Sequence, residues 1–315
     1  MGLIKSLYQM NYKITCHLMP WELDYALLSF TQLKKSKYYL DETDIVYVDV
    51  TLNLSNYLID WNSSKLPKDF FIEKFNSLQP LLNDYKCKFK IYDGNELYGG
   101  LDTMKESTEP HIDHYMTLNP DMYFNEHLLY ILLQCSKKIT NKFFIISSQI
   151  PKLWDHTWDV ISHPNYNDVP YKEHNTIDVY DVRNYMKNNN LPIKLIPLNK
   201  FKFAGWMDLF NKEMWENFLI KNEWKGYGGC DFYAMLLSQF AENHGVDIKQ
   251  YIIENQITVE YNYGPMQKTG YTQYYKKFIK LNDIPNQRKD FDSKMNGYIN
   301  VGIQNLIDKK IIKTL

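Results

Sequence analysis

Between residues 10 and 150, apolar and polar positions alternate in short runs that switch between a period of two and a period near 3.6. Residues 12–18 read as a strand, and Pro20-Trp21-Glu22 opens a helix through Leu33 with proline in its first turn. Residues 44–50 form a β-branched strand, and residues 68–82 carry Phe71, Phe75, Leu78 and Leu82 at helical spacing. Residues 88–92 make a third strand and residues 114–118 a fourth. An apolar helix over 126–135 and a strand over 142–147 follow. This alternation predicts an α/β fold, a doubly wound and mostly parallel sheet flanked by helices, with ligands beyond the carboxyl ends of the strands.

The second half is less regular. Phe201, Phe203, Gly205 and Trp206 suggest a short aromatic strand, and Met214, Trp215 and Phe218 mark a helix. The chain breaks at Trp224-Lys225-Gly226-Tyr227-Gly228-Gly229, and a second apolar helix starts with Asp231 in its first turn and stops near His244-Gly245. Residues 256–261 read as a strand, and Gly264-Pro265 is a break. Residues 294–312 mix apolar side chains with Lys and Asp, a pattern that favours packing on the main domain. The expected organisation is a domain over 1–265 and a helical C-terminal extension over 266–315. Residues 162–190 are polar and suit either a loop that orders over a ligand or a plain excursion.

Composition narrows the class. A hydrophobic content of 44% with 16% aromatics supports a folded globule, and no apolar run nears the ~20 residues of a bilayer crossing. The first residues lack a continuous apolar core, so a cytoplasmic location is expected. The four cysteines are scattered without paired spacing, which argues against a disulfide framework or a zinc site. Net charge is −1, and Arg183 and Arg288 are the only arginines, so no nucleic-acid partner is expected. A diphosphate ligand would need a cation for countercharge.

The strand ends supply the candidate chemistry. His17, Pro20 and Trp21 follow the first strand, Thr51 and Asn53 end the second, and Asp93, Gly94 and Tyr98 follow the third. Trp21 suits core packing and base stacking equally. Neither a dinucleotide-binding Gly-x-Gly-x-x-Gly nor a phosphate-binding Gly-Lys-Ser/Thr loop follows the first strand. Asn119-Pro120-Asp121 ends the fourth strand and reads either as a turn or as oxygen ligands for Mg²⁺ or Mn²⁺. Asp231 reads either as a helix cap or as an aimed, ionised base.

Two stretches together resemble a known family. The order of a Gly-Trp strand, a hydrophobic helix and Trp224-x-Gly226-x-Gly228-Gly229-x-Asp231 resembles the acceptor-side segment of inverting glycosyltransferases of the GT-A fold. Cys230 stands where that family usually has Glu. Asn119-Pro120-Asp121 is similar to a degenerate form of its Asp-x-Asp motif. The resemblance implies a nucleotide-diphosphate-sugar donor of UDP or GDP type, held by His17, Pro20, Trp21, Thr51, Asp93 and Tyr98. It implies a divalent cation (Mn or Mg) on Asp121 and Asn119, and Asp231 as the base that activates an acceptor hydroxyl of a glycan, lipid or other molecule. Gly205, Trp206, Asp208 and Trp224 would line the acceptor side. The alternatives are a nucleotidyltransferase on a similar sheet, which would not need Asp231 as base, and a non-catalytic carbohydrate- or partner-binding relative.

Overall fold

In the computed structural model, the described residues are 9–57, 59–151, 156–164, 193–203, 206–221, 230–260 and 283–313. Three parallel strands, β1 (Met10–Leu18), β2 (Asp44–Asn53) and β3 (Lys86–Tyr92), are joined by helices α1 (Leu23–Ser36) and α2 (Lys68–Leu78). Helix α3 (Gly100–Glu106) leads into β4 (His114–Thr117), which lies parallel to β1 on its other side. After the two-residue β5 (Met122–Tyr123) come α4 (Leu128–Ser136), β6 (Phe143–Gln149), β7 (Leu195–Pro197) and β8 (Leu209–Asn211). A helical turn α5 (Lys212–Met214), continued by a wider turn over Trp215–Leu219, precedes α6 (Cys230–Asn243) and β9 (Ile248–Ile257). A short β10 (Val259–Glu260) and helix α7 (Asp283–Asp308) complete the described elements.

The eight-stranded sheet has the order β3-β2-β1-β4-β8-β6-β9-β7. β8 runs against both β4 and β6, and β7 runs against β9, so the other strands share one direction. The doubly wound, mostly parallel α/β sheet expected from the sequence is therefore the observed architecture. Period-two alternation splits its side chains between two cores. Ile14, Met116, Phe144 and Leu209 face one core with α1, α2 and α4, and Tyr115, Phe143, Ile145 and Phe210 face the other with α6. Helix α7 adds Met295 and Leu306 to that second core. Its Gly302 lies where an added Cβ would collide with the Tyr233 hydroxyl, so a small residue lets the two helices approach. No helix among the described residues is long and apolar enough to cross a membrane.

Two strand expectations are corrected. Phe201 and Phe203 are buried in the second core without being in a strand, and the strand itself comes later, at Leu209–Asn211. Apolar aromatic density there signals burial rather than extension. The strand expected at 256–261 is the end of a longer one, β9, followed by β10.

Lys13 is a buried cation on the face of β1 opposite the first core. Its Nζ lies 3.1 Å from Asp49 Oδ2 and 3.1 Å from Glu109 Oε2, which neutralise it where water does not reach.

Candidate functional site

β1, β2, β4, β6 and β9 end on one rim of the sheet, and the polar residues of that rim form three groups. The first is built by β1, β2 and α3. His17 sits opposite Thr51 in the β1–β2 ladder. Its Nδ1 is 2.9 Å from Thr103 Oγ1, and its Nε2 is 3.5 Å from Asn53 Nδ2. Asn53 is fully buried and donates to the Tyr98 carbonyl at 2.6 Å, which pins the loop after β3 against the end of β2.

The remaining bonds give this group a direction. Thr103 donates to the Tyr98 hydroxyl at 3.4 Å, and Tyr98 donates to Glu106 Oε2 at 2.6 Å. With Asn53 an obligate donor, His17 Nε2 is the acceptor and Nδ1–H donates to Thr103, a tautomer assigned from the network. Burial lowers the His17 pKa to about 4, so the ring is neutral at physiological pH. Burial raises the Tyr98 phenol, and its bond to Glu106 raises it further. Burial would raise Glu106 too, but hydrogen bonds from Lys90 and Tyr98 outweigh it and hold the carboxyl below its ordinary value. Tyr98 also stacks on Tyr92 with ring centroids 4.1 Å apart, and Lys90 Nζ stands 5.0 Å above the Tyr98 ring. Gly94 accommodates this stack, since a Cβ there would meet Tyr92 Oη at 2.5 Å.

The second group surrounds the end of β4. Leu118 N–H donates to Thr15 O at 3.0 Å, and Met122 N–H reaches back to Asn119 O at 3.4 Å, closing the turn that presents Asn119 and Asp121. β5 follows at once and pairs with β10. From the other side, Thr117 N–H donates to the Asp208 carbonyl at 3.1 Å and Thr117 Oγ1 to the Trp206 carbonyl at 3.3 Å. Asp208 and Trp206 are both buried, and Trp206 meets Trp158 edge-on at 5.2 Å.

A carboxyl absent from the sequence expectations joins this group. Glu22 Oε2 accepts from Met19 N–H at 2.7 Å, closing the turn after β1 as a capping box. Burial, only partly opposed by that bond and assisted by the charge of Asp121, raises the Glu22 pKa to about 8. Glu22 therefore holds its proton at neutral pH beside an Asp121 turn. Met19-Pro20-Trp21-Glu22 carried the signal, a proline in the first turn with an acid three residues past the cap.

The third group is the start of α6. Asp231 occupies its first turn and is half-buried. The neighbouring Cys230 thiol is pushed up to about 12 by burial, then by the charge of Asp231, with a smaller contribution from Asp102. Asp102 belongs to the first turn of α3, where its Oδ2 accepts from Gly99 N–H at 2.8 Å. Helix α3 also carries the Thr103 and Glu106 of the first group.

Of the residues expected at the donor side, His17, Thr51 and Tyr98 converge in one network. Pro20 and Trp21 are buried, Trp21 in the first core at 5% exposure, so they shape the rim from beneath. Asp93 is exposed and paired with Lys68. Gly205 and Trp224 lie outside the described residues. Sequence reasoning did not assign Thr103, Glu106 or Glu22 to the site. Among the described residues no group of three His, Cys, Asp or Glu side chains stands ready for a metal ion. The oxygen donors of Asp121 and Asn119 fit a hard divalent cation that completes its shell with phosphate and water.

No family model matches the chain, and no curated protein matches it. Among solved structures, S. aureus TarS 1–349 is similar at 10% identity over 78% of this chain and 60% of that one, with a TM-score of 0.40. The chain thus spans 60% of the length of that protein. The inositol-1-phosphate CTP transferase from T. maritima is similar at 10% identity over 86% and 96% of the two chains, with a TM-score of 0.41. The 4-diphosphocytidyl-2C-methyl-D-erythritol synthase from Anaerococcus prevotii is similar at 12% identity over 85% and 99%, with a TM-score of 0.39.

Proposed function

We propose that the chain is a glycosyltransferase that moves a sugar from a nucleotide-diphosphate-sugar donor to an acceptor hydroxyl with inversion. One observation carries this reading: a half-buried carboxylate, Asp231, stands in the first turn of α6. Nucleotidyl transfer to a phosphate has no use for a base at that place. Glycosyl transfer to a hydroxyl with inversion calls for one.

His17, Thr51 and Tyr98 hold the nucleoside end of the donor through a neutral, directional network. Asp121 and Asn119 would hold a divalent cation, Mn²⁺ or Mg²⁺, which would neutralise diphosphate charge and improve the leaving group. Asp231 takes the proton of the acceptor hydroxyl as its oxygen bonds to the anomeric carbon. The bond from that carbon to the phosphate oxygen breaks, and its electron pair leaves with the nucleoside diphosphate. Trp206 and Asp208, with Gly205 and Trp224, form the acceptor side.

The test is a thermal-shift screen of UDP, GDP, CDP and their sugars with and without Mn²⁺, coupled to nucleotide release. One nucleotide should stabilise the protein in a metal-dependent way, with the shift lost in Asp121→Ala and kept in Asp231→Asn. Turnover in Asp231→Asn should fall by roughly 10²–10⁴. No metal-dependent shift refutes the reading, and so does pyrophosphate release from a nucleoside triphosphate at full rate in Asp231→Asn.

A further inference from the structure

The carboxyl ends of β6 and β9 carry a polar structure with no role in the assignments above. The two strands pair regularly from Phe143↔Ile248 to Ser148↔Ile253, and then the register jumps to Gln149↔Ile257. Glu254, Asn255 and Gln256 therefore bulge out of the ladder on the rim that holds the site. Bulges of this kind re-aim side chains and are common beside active sites.

The bulge is clamped. Asn255 has φ 63°, the left-handed region that a non-glycine residue enters at a cost. Its N–H donates to Gln149 Oε1 at 2.6 Å, and its Oδ1 lies 3.2 Å from His163 Nε2. His163 is fixed in turn by its N–H donating to Ile150 O at 2.8 Å. Two residues beyond the bulge, Thr258 N–H donates to Gln149 O at 2.8 Å, and β10 then pairs with β5, directly after Asp121. On the His163 side, the chain arrives from Trp158, which meets the acceptor-side Trp206.

Gln256 is the bulge residue next to this clamp. Its Oε1 is buried and has no hydrogen-bond partner among the described residues, although the residue as a whole is only half-buried. Such an acceptor loses its water without compensation, and a ligand hydroxyl restores the missing bond. A hydroxyl suits either orientation of the amide, since it both donates and accepts.

We propose that the β6–β9 bulge is the acceptor subsite, in which the Gln256 amide receives a hydroxyl of a glycoside acceptor while Asn255 and His163 act as positioning residues. This deepens the glycosyltransferase reading and rests on it.

The experiment uses the full chain and methyl glycosides of glucose, galactose, mannose and N-acetylglucosamine, each titrated by saturation-transfer NMR with Mn²⁺ and UDP, GDP or CDP present. Nucleotide affinity is measured in the same samples. At least one glycoside should bind, and Gln256→Met should weaken it roughly three- to tenfold while leaving nucleotide affinity unchanged. Asn255→Gly, which keeps the left-handed backbone, should weaken it as well. If nucleotide binds and no glycoside does, or if both variants bind glycosides as the wild type does, the subsite is overturned and the donor reading stands. Glycoside binding that depends on Gln256 without any nucleotide binding sinks the transferase reading and leaves a glycoside-binding site at the bulge that is not an acceptor subsite.

Discussion

Removing the Tyr98 hydroxyl tests whether the His17–Glu106 chain is a joined structure or a set of incidental contacts. Tyr98→Phe keeps the ring stacked on Tyr92 and deletes one oxygen at a nearly fully buried position. That oxygen donates to an ionised carboxylate at 2.6 Å, a bond worth about 1.5–3 kcal/mol. It also accepts from Thr103 and from Thr51, both buried. Thr103 still accepts from His17 but, like Thr51, loses the acceptor for its hydroxyl proton, adding on the order of 1 kcal/mol. Lys90 still pairs with Glu106, which limits the damage. The net expectation is a loss of about 2–3 kcal/mol, read as a fall of roughly 1 M in the urea midpoint at unchanged slope. Tyr92→Phe is the control, because its exposed hydroxyl makes one 3.3 Å bond to the Glu96 carbonyl and should cost less than about 0.5 kcal/mol. Equal stability of Tyr98→Phe and Tyr92→Phe would refute the network.

Lys13→Met strands Asp49 in the sheet interior and should cost about 3–5 kcal/mol in chemical denaturation, whereas Lys88→Met, at the exposed end of the same cluster, should cost under about 1 kcal/mol. His114, stacked on Tyr12 with ring centroids 5.1 Å apart, has its pKa lowered from 6.5 to about 4 by burial, with Lys137 adding to the fall and Asp113 opposing it. The unfolded chain then binds the proton first as pH drops, so this stabilisation is complete above about pH 6.5 and is lost toward pH 4. Between about pH 7.5 and about pH 5, wild type should lose about 2 kcal/mol more than His114→Phe, and equal losses would remove His114 as the cause.

Much of the first half was legible because its strands are short β-branched runs whose neighbours in sequence are neighbours in the sheet. His17, Thr51 and Tyr98 were singled out by position alone, as residues at or just past the carboxyl ends of strands. Glu22, Thr103 and Glu106 were not, since each acquires its role from a partner on a different element. β9 was obscured by Gln250, a polar residue at a core position. It is tolerated there because its amide donates to Ser147 Oγ and to the Lys202 carbonyl, both at under 3 Å, while its Oε1 accepts from Lys202 N–H. Those partners lie about 50 and about 100 residues away in the chain, beyond the reach of any local pattern. The aromatic residues 201 and 203 misled in the opposite sense, as the same composition fills a core from a loop.

The β5–β10 pairing has a consequence for the order of events during synthesis. β1 to β4 and the helices between them emerge from the ribosome with most of their partners already made. The turn bearing Asn119 and Asp121 does not, because the strand that backs it, Val259–Glu260, is translated well over a hundred residues later. At about 5–20 residues per second that interval lasts several seconds or more. A nascent chain halted before β10 would therefore have the His17–Glu106 network in place and lack the support for the turn bearing Asn119 and Asp121, which would be the last part of this rim to mature.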